Sequence, residues 1–133
     1  MHIEHVGLWT DNLERLKSFY ETYFGASAGD RYVNPRKQFE SYFLTFASGA
    51  RLELMRRPNL PNGVRNLHDS GAATRAGYAH LAFSVGSKQQ VDDLTVRLRA
   101  AGYPVVDGPR TTGDGYYESS VLDPDGNRIE ITV

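Results

Sequence analysis

The sequence predicts an α+β chain in which two copies of a β-α-β-β-β module form a curved, partly closed mixed sheet around a cleft. Three observations carry that prediction. Short stretches alternate apolar and polar residues with period two, two longer stretches carry apolar stripes at helical spacing, and the second half repeats the first.

The elements follow in order. Ile3 to Thr10 alternates, with Val6 and Leu8 on one face and Ile3, His5, Gly7 and Trp9 on the other. Asp11 is the expected helix cap, and Glu14 three residues on closes a capping box. Leu13, Leu16, Tyr20, Tyr23 and Phe24 recur at helical spacing, and Gly25 suits the stop. Strands are expected near Ala26–Val33, Phe39–Ala47 and Ala50–Arg56, punctuated by Asn34-Pro35 and Ser48-Gly49. Residues 58–77 carry Pro58, Pro61, Gly63, Gly71 and Gly77 and little periodicity, which predicts a long connector. Module one is thus 1–57 and module two 78–133, in a single domain spanning 1–133.

Module two opens with Tyr78 to Val85, where Leu81, Phe83 and Val85 alternate with Tyr78, His80, Ala82 and Ser84. Ser87 and Gln90 form a second capping box ahead of the stripe Val91, Leu94, Leu98 and Ala101, which Gly102 ends. Strands near Tyr103–Thr111, Tyr116–Leu122 and Arg128–Val133 complete it. Asp125-Gly126 signals a tight hairpin turn before the last strand, because a two-residue loop needs positive φ. Ser48-Gly49-Ala50-Arg51-Leu52-Glu53 aligns without a gap on Asp125-Gly126-Asn127-Arg128-Ile129-Glu130. Gly25 and Gly102 keep the same offset, and the two histidines differ from it by two residues.

Composition excludes several function classes. Lys and Arg total 15 against 16 Asp and Glu, a net charge of -1, so nothing argues for nucleic acid or an anionic membrane as partner. The absence of cysteine removes disulfides, thiolate metal sites and a cysteine nucleophile. With no membrane-length apolar run and no secretory layout at Met1, the expected setting is cytoplasmic. No nucleophile elbow, phosphate-binding glycine loop or dinucleotide fingerprint occurs. Asp123-Pro-Asp-Gly-Asn lacks the later acidic ligand of a calcium loop and reads as a turn. His2 and His68 are expected in solvent.

Four residues stand out: His5 and Glu53 in the first module, His80 and Glu130 in the second. A glutamate on a strand's polar face is ordinarily solvated, and a lone strand histidine is ordinarily structural. Repetition at related places, on faces opposite the helices, lifts these four above that. Two imidazoles and two carboxylates suit Ni²⁺, Zn²⁺, Fe²⁺, Mn²⁺ or Co²⁺, which makes the cleft a metal cleft. Arg51 and Arg128 share the glutamates' face and are candidates to pair with nearby acids. Trp9, Tyr42, Tyr116 and Tyr117 are candidate walls of an aromatic pocket, with ordinary sheet packing as the alternative.

The sequence resembles the vicinal oxygen chelate superfamily of glyoxalase I, methylmalonyl-CoA epimerase, extradiol dioxygenases and the fosfomycin and bleomycin resistance proteins. The resemblance rests on Ile3-Glu4-His5-Val6, the 11–25 helix, Arg51-Leu52-Glu53-Leu54, Tyr78-Ala79-His80-Leu81-Ala82-Phe83 and Asp123-Pro-Asp-Gly-Asn-Arg-Ile-Glu130. It implies a divalent ion held by His5, Glu53, His80 and Glu130, a small-molecule substrate chelating it through adjacent oxygens, and a homodimer. A fourth ligand at Glu53 resembles glyoxalase I and its isomerase relatives, in which Glu130 or Glu53 shuttles the proton. The implied function is a glyoxalase-like lyase or isomerase; the alternatives are an extradiol-type dioxygenase and a non-catalytic, antibiotic-sequestering binder. Trp9 and Arg57 stand where glyoxalase I places its glutathione-binding arginine and an asparagine, and Arg110 alone remains of its basic loop as a candidate substrate-binding residue. Glutathione hemithioacetal is therefore not the expected substrate.

Overall fold

The computed structural model describes residues 1–47, 49–60 and 77–133, and the chain divides into two compact units, Met1–Gly63 and Val64–Val133. Ser48, His68 and most of the expected connector lie outside the described residues.

In the first unit, β1 (His5–Trp9), α1 (Leu13–Phe24), β2 (Ser27–Ala28), β3 (Tyr32–Asn34), β4 (Phe39–Thr45) and β5 (Arg51–Arg56) follow one another. The sheet order is β1-β5-β4-β2, with β3 also on β4; β1 and β5 are parallel and the other pairs antiparallel. The single strand expected over 26–33 is two short ones. Gly29 and Asp30 interrupt it, and the Gly29 N–H donates to the Phe43 carbonyl at 2.9 Å. Helix α1 exists because Leu13, Leu16, Phe19 and Tyr20 bury one stripe against the sheet's Leu44, Leu52 and Leu54. Each such side chain contributes about 1.5–3 kcal/mol by leaving water.

The cap of α1 differs from expectation. Asn12, not Asp11, accepts the Arg15 N–H at 3.0 Å, and the Thr10 hydroxyl accepts the Asn12 N–H at 3.1 Å. Asp11 instead pairs with Arg15, and Glu14 pairs with Lys17 at 2.6 Å. Asn12 is as good a capping residue as Asp11, and buried Thr10 fixes the choice by holding the Asn12 backbone.

The described part of the second unit contains β6 (Leu81–Ser84), α2 (Lys88–Ala100), β7 (Val105–Thr111), β8 (Tyr117–Leu122) and β9 (Arg128–Thr132), in the sheet order β6-β9-β8-β7. The β6/β9 pair is parallel and the others antiparallel, as in the first unit. Ser87 caps α2 as expected, accepting the Gln90 N–H at 3.3 Å. Val91, Leu94 and Leu98 pack on Val121, Ile129 and Ile131, and buried Thr95 shares a 2.5 Å hydrogen bond with Ser119 of β8. In β7, Gly108 at φ +76° lies where the register shifts against β8; an added Cβ would meet the Glu118 carbonyl oxygen at 2.6 Å.

The turn before β9 is longer than a two-residue hairpin, with 123–127 linking β8 to β9. Buried Asp123 organises it, accepting the N–H groups of Asp125 and Asn127 at 2.9 Å each and the Asn127 amide at 2.8 Å. Burial pushes this carboxyl above its ordinary range, against the pull of the three donors. Gly126 supplies the expected positive φ, +83°.

Candidate metal centre

The parallel strand pair of each unit places one histidine and one glutamate. In the first, Gly7 of β1 stands opposite Glu53 of β5, with His5 two residues earlier opposite Arg51. In the second, Ala82 of β6 stands opposite Glu130 of β9, and His80 lies two residues before Ala82. The register is thus identical, with a small residue facing each glutamate. The two-residue difference between the histidine and glutamate offsets falls in the helices. From His5 to the first residue of α1 and from His80 to that of α2 the spacing is equal, whereas Lys88 to Gly102 is two residues longer than Leu13 to Gly25.

His80 precedes β6 rather than lying within the expected longer strand, because β9 begins only one residue before Ile129, the partner of Leu81. Its Nε2 is 3.0 Å from a Glu130 carboxylate oxygen. In the first unit, His5 Nε2 is 3.9 Å from a Glu53 oxygen. Both glutamates are mostly covered, at 17% and 19% side-chain exposure, while the histidines retain 42% and 37%. Two donors on one tetrahedral zinc-sized cation, each at about 2.0–2.2 Å, stand about 3.4 Å apart; the second pair is closer than that, at hydrogen-bond separation, and the first is wider. Within each unit the described donors come as pairs, and among the described residues no group of three His, Asp or Glu is placed to hold a metal ion.

Around these pairs the two sheets differ. In the first, Trp9 lies opposite Met55, meets Phe39 edge-on at 6.0 Å and carries the Arg57 guanidinium 4.9 Å above its ring. At 44% exposure Trp9 offers open aromatic surface on the face of His5 and Glu53. The second presents charge: Arg110 bonds Asp107 at 2.5 and 2.8 Å and approaches Glu118 at 3.7 Å. The Arg110 guanidinium holds Asp107 below the usual carboxylate range. Arg110 is near enough to Glu130 to feel its charge, yet it is occupied by acids of its own sheet.

Tyr42 and Tyr117 sit elsewhere. Tyr42 is buried toward α1, its hydroxyl donating to Glu14 at 2.8 Å with Lys17 over the ring, and Tyr117 donates to Asp92 of α2 at 2.7 Å with Lys88 over the ring. Each phenol is pushed up by the carboxylate it serves. Alternation puts both on the helix side of their sheets, opposite the histidine–glutamate pairs, so they tie helix to sheet and do not wall a pocket. His2 is exposed as expected.

Glu4 adds a third side chain beside the first pair. Glu4 accepts a hydrogen bond from His5 Nδ1 and an ion pair from Arg51, which confirms Arg51 as the partner of a nearby acid. Both neighbours, His5 first, hold the Glu4 carboxyl below its ordinary value. Alternation set Glu4 on the opposite face, but it stands before β1 and the pleat does not govern it.

The sequence model of the Glyoxalase/Bleomycin resistance protein/Dioxygenase superfamily matches residues 2–131. The chain belongs to that superfamily. It is 30% identical over 133 residues to an uncharacterized protein, PA2024, of Pseudomonas aeruginosa, a match covering 98% of this chain and 86% of that one. A second uncharacterized protein, YqjT of Bacillus subtilis, is 43% identical over 60 residues; the match spans 43% of this chain and 47% of that relative, about half its length. In fold, the chain is similar to a glyoxylase/bleomycin resistance protein/dioxygenase domain from Frankia, with a TM-score of 0.80, 20% identity and coverage of 100% and 97%. The α+β class and the mixed sheets are those of this superfamily.

Proposed function

We propose that this superfamily member is a glyoxalase-like, metal-dependent lyase or isomerase that moves a proton on a small substrate bearing adjacent oxygens. The observation that carries the reading is the recurrence of one histidine–glutamate pair at one register in both units. His5 and Glu53, with His80 and Glu130, are the two halves of one ligand set for a divalent ion, supplied by one chain or by two copies in a homodimer. Two neutral imidazoles and two carboxylates balance the charge of Ni²⁺, Zn²⁺, Fe²⁺, Mn²⁺ or Co²⁺. When bound, the ion supplies Lewis acidity toward substrate oxygens.

The chain's own residues do the rest. Glu130 is the proposed base, its carboxylate taking a proton from substrate carbon, with the electron pair left to the adjacent carbonyl, and returning the proton to the neighbouring carbon; Glu53 is the alternate. Trp9 binds the substrate's flat or apolar part. Arg110, paired with Asp107, sets the charge near Glu130 and does not receive an anionic tail, in keeping with a substrate other than glutathione hemithioacetal.

Proton transfer leaves a signature that needs no knowledge of the natural substrate. In D₂O, a panel of 2-hydroxyketones and 2-hydroxyaldehydes should exchange the carbon-bound hydrogen next to the oxygens, and Glu130→Gln should slow exchange by about 100-fold or more. Equal exchange by wild type and variant would remove Glu130 from this role. Oxygen uptake on catechols by the Fe²⁺ form, without any exchange, would replace the reading with a dioxygenase.

A further inference from the structure

The two histidines are prepared differently. Glu4 bends one carboxylate oxygen to His5 Nδ1, while its other oxygen receives Arg51. The Arg51 backbone N–H also donates to the Glu4 carbonyl at 3.0 Å. Arg51 lies 4.1 Å over the Phe43 ring, and Phe43 meets the His5 ring edge-on at 5.4 Å and 84°. His5, Glu4, Arg51 and Phe43 thus close a ring of contacts. At the corresponding place before His80 stands Ala79, and among the described residues His80 pairs with Glu130 alone.

We propose that Glu4 and Arg51 are positioning residues that lock His5 into the tautomer and orientation of a metal ligand through Nε2. This rests on reading His5 as a ligand. A neutral imidazole has one N–H and one lone pair, so a carboxylate accepting from Nδ1 commits the lone pair to Nε2, the nitrogen nearest Glu53. Outer carboxylates of this kind orient the ring and raise its basicity. Arg51 keeps Glu4 from swinging into water, and Phe43 limits rotation of the imidazole. One half of the ligand set is therefore fixed before any ion arrives, whereas the other relies on direct contact between imidazole and carboxylate.

The tautomer can be read without metal. Long-range proton–nitrogen correlation spectra of the metal-free protein should place the His5 proton on Nδ1, and Glu4→Ala should shift it toward Nε2. Zn²⁺ affinity, measured by competition with a chromophoric chelator, should fall by about 10–100-fold in Glu4→Ala. Glu4→Gln, whose amide oxygen still accepts from Nδ1, should recover most of the loss, and Arg51→Met should lie between. The visible absorption band of the Co²⁺ form should change in Glu4→Ala and return in Glu4→Gln, which a general loosening of the fold would not produce. A wild-type chain that takes up no metal would defeat the ligand reading on its own. A wild type that binds, with tautomer and affinity both unmoved in Glu4→Ala, would overturn the clamp alone.

Discussion

Glu130→Gln should lower divalent-metal affinity by more than about 100-fold, beyond the 10–100-fold typical of losing an outer-shell partner. Glutamine keeps the length and polarity of the side chain but not its charge. Glu130 Oε2 stands 3.0 Å from His80 Nε2, so the substitution also converts an imidazole–carboxylate pair into an imidazole–amide pair. His80→Ala should match it in size, since either change halves the second unit's donor pair. Titration calorimetry with Ni²⁺ or Zn²⁺ reads both. If Glu130→Gln and Glu53→Gln each bind as tightly as wild type, the glutamates are structural and the repeated pair has another cause.

Asp123→Ala should cost about 3 kcal/mol of folding stability, measured by urea unfolding. The carboxylate accepts three N–H donors while only 3% exposed, and its loss leaves buried donors without an acceptor, at about 1–3 kcal/mol each before relaxation. Asp123→Asn should fall between wild type and alanine. Its oxygen can still serve the backbone N–H groups, but its amide nitrogen would confront the Asn127 donor. Because this turn launches β9, Asp123→Ala should also loosen Glu130 and reduce metal affinity, which a surface-loop substitution would not do. A loss under about 0.5 kcal/mol, the range of neutral surface changes, would mean that the turn is held by its backbone and Gly126 alone.

Much of this architecture was legible in the residues. Period-two alternation marks β1, β5, β6 and β9, Ser87 with Gln90 marks the start of α2, and the match of 48–53 to 125–130 marks the duplication. Those signals are local, and the local physics is obeyed. The structure departs from the sequence pattern where local signals compete or run out. Asp11 and Asn12 are equally good caps, and a backbone hydrogen bond to Thr10 decides between them. The Asp125-Gly126 signal was right about φ, but the buried Asp123 makes a longer turn cheaper than a two-residue one. Tyr42 and Tyr117 read as pocket aromatics because periodicity gives a face, not a partner. The carboxylates of α1 and α2 that engage them are separated from them by 28 and 25 residues.

The candidate site divides in the same way. His5, Glu53, His80 and Glu130 stood out through repetition, and the identical strand registers give that repetition a physical basis. Glu4 was invisible because it has no counterpart in the repeat, where Ala79 takes its place. It also lies outside β1, where alternation says nothing about direction.

Metal stoichiometry tests the central claim most directly. Protein purified without a histidine tag, reconstituted in turn with Ni²⁺, Zn²⁺ and Fe²⁺ and desalted, is predicted to retain about one equivalent per chain by elemental analysis. Retention of less than about a tenth of an equivalent with every one of these ions would contradict the account, because ligand and proton-transfer roles alike depend on the ion.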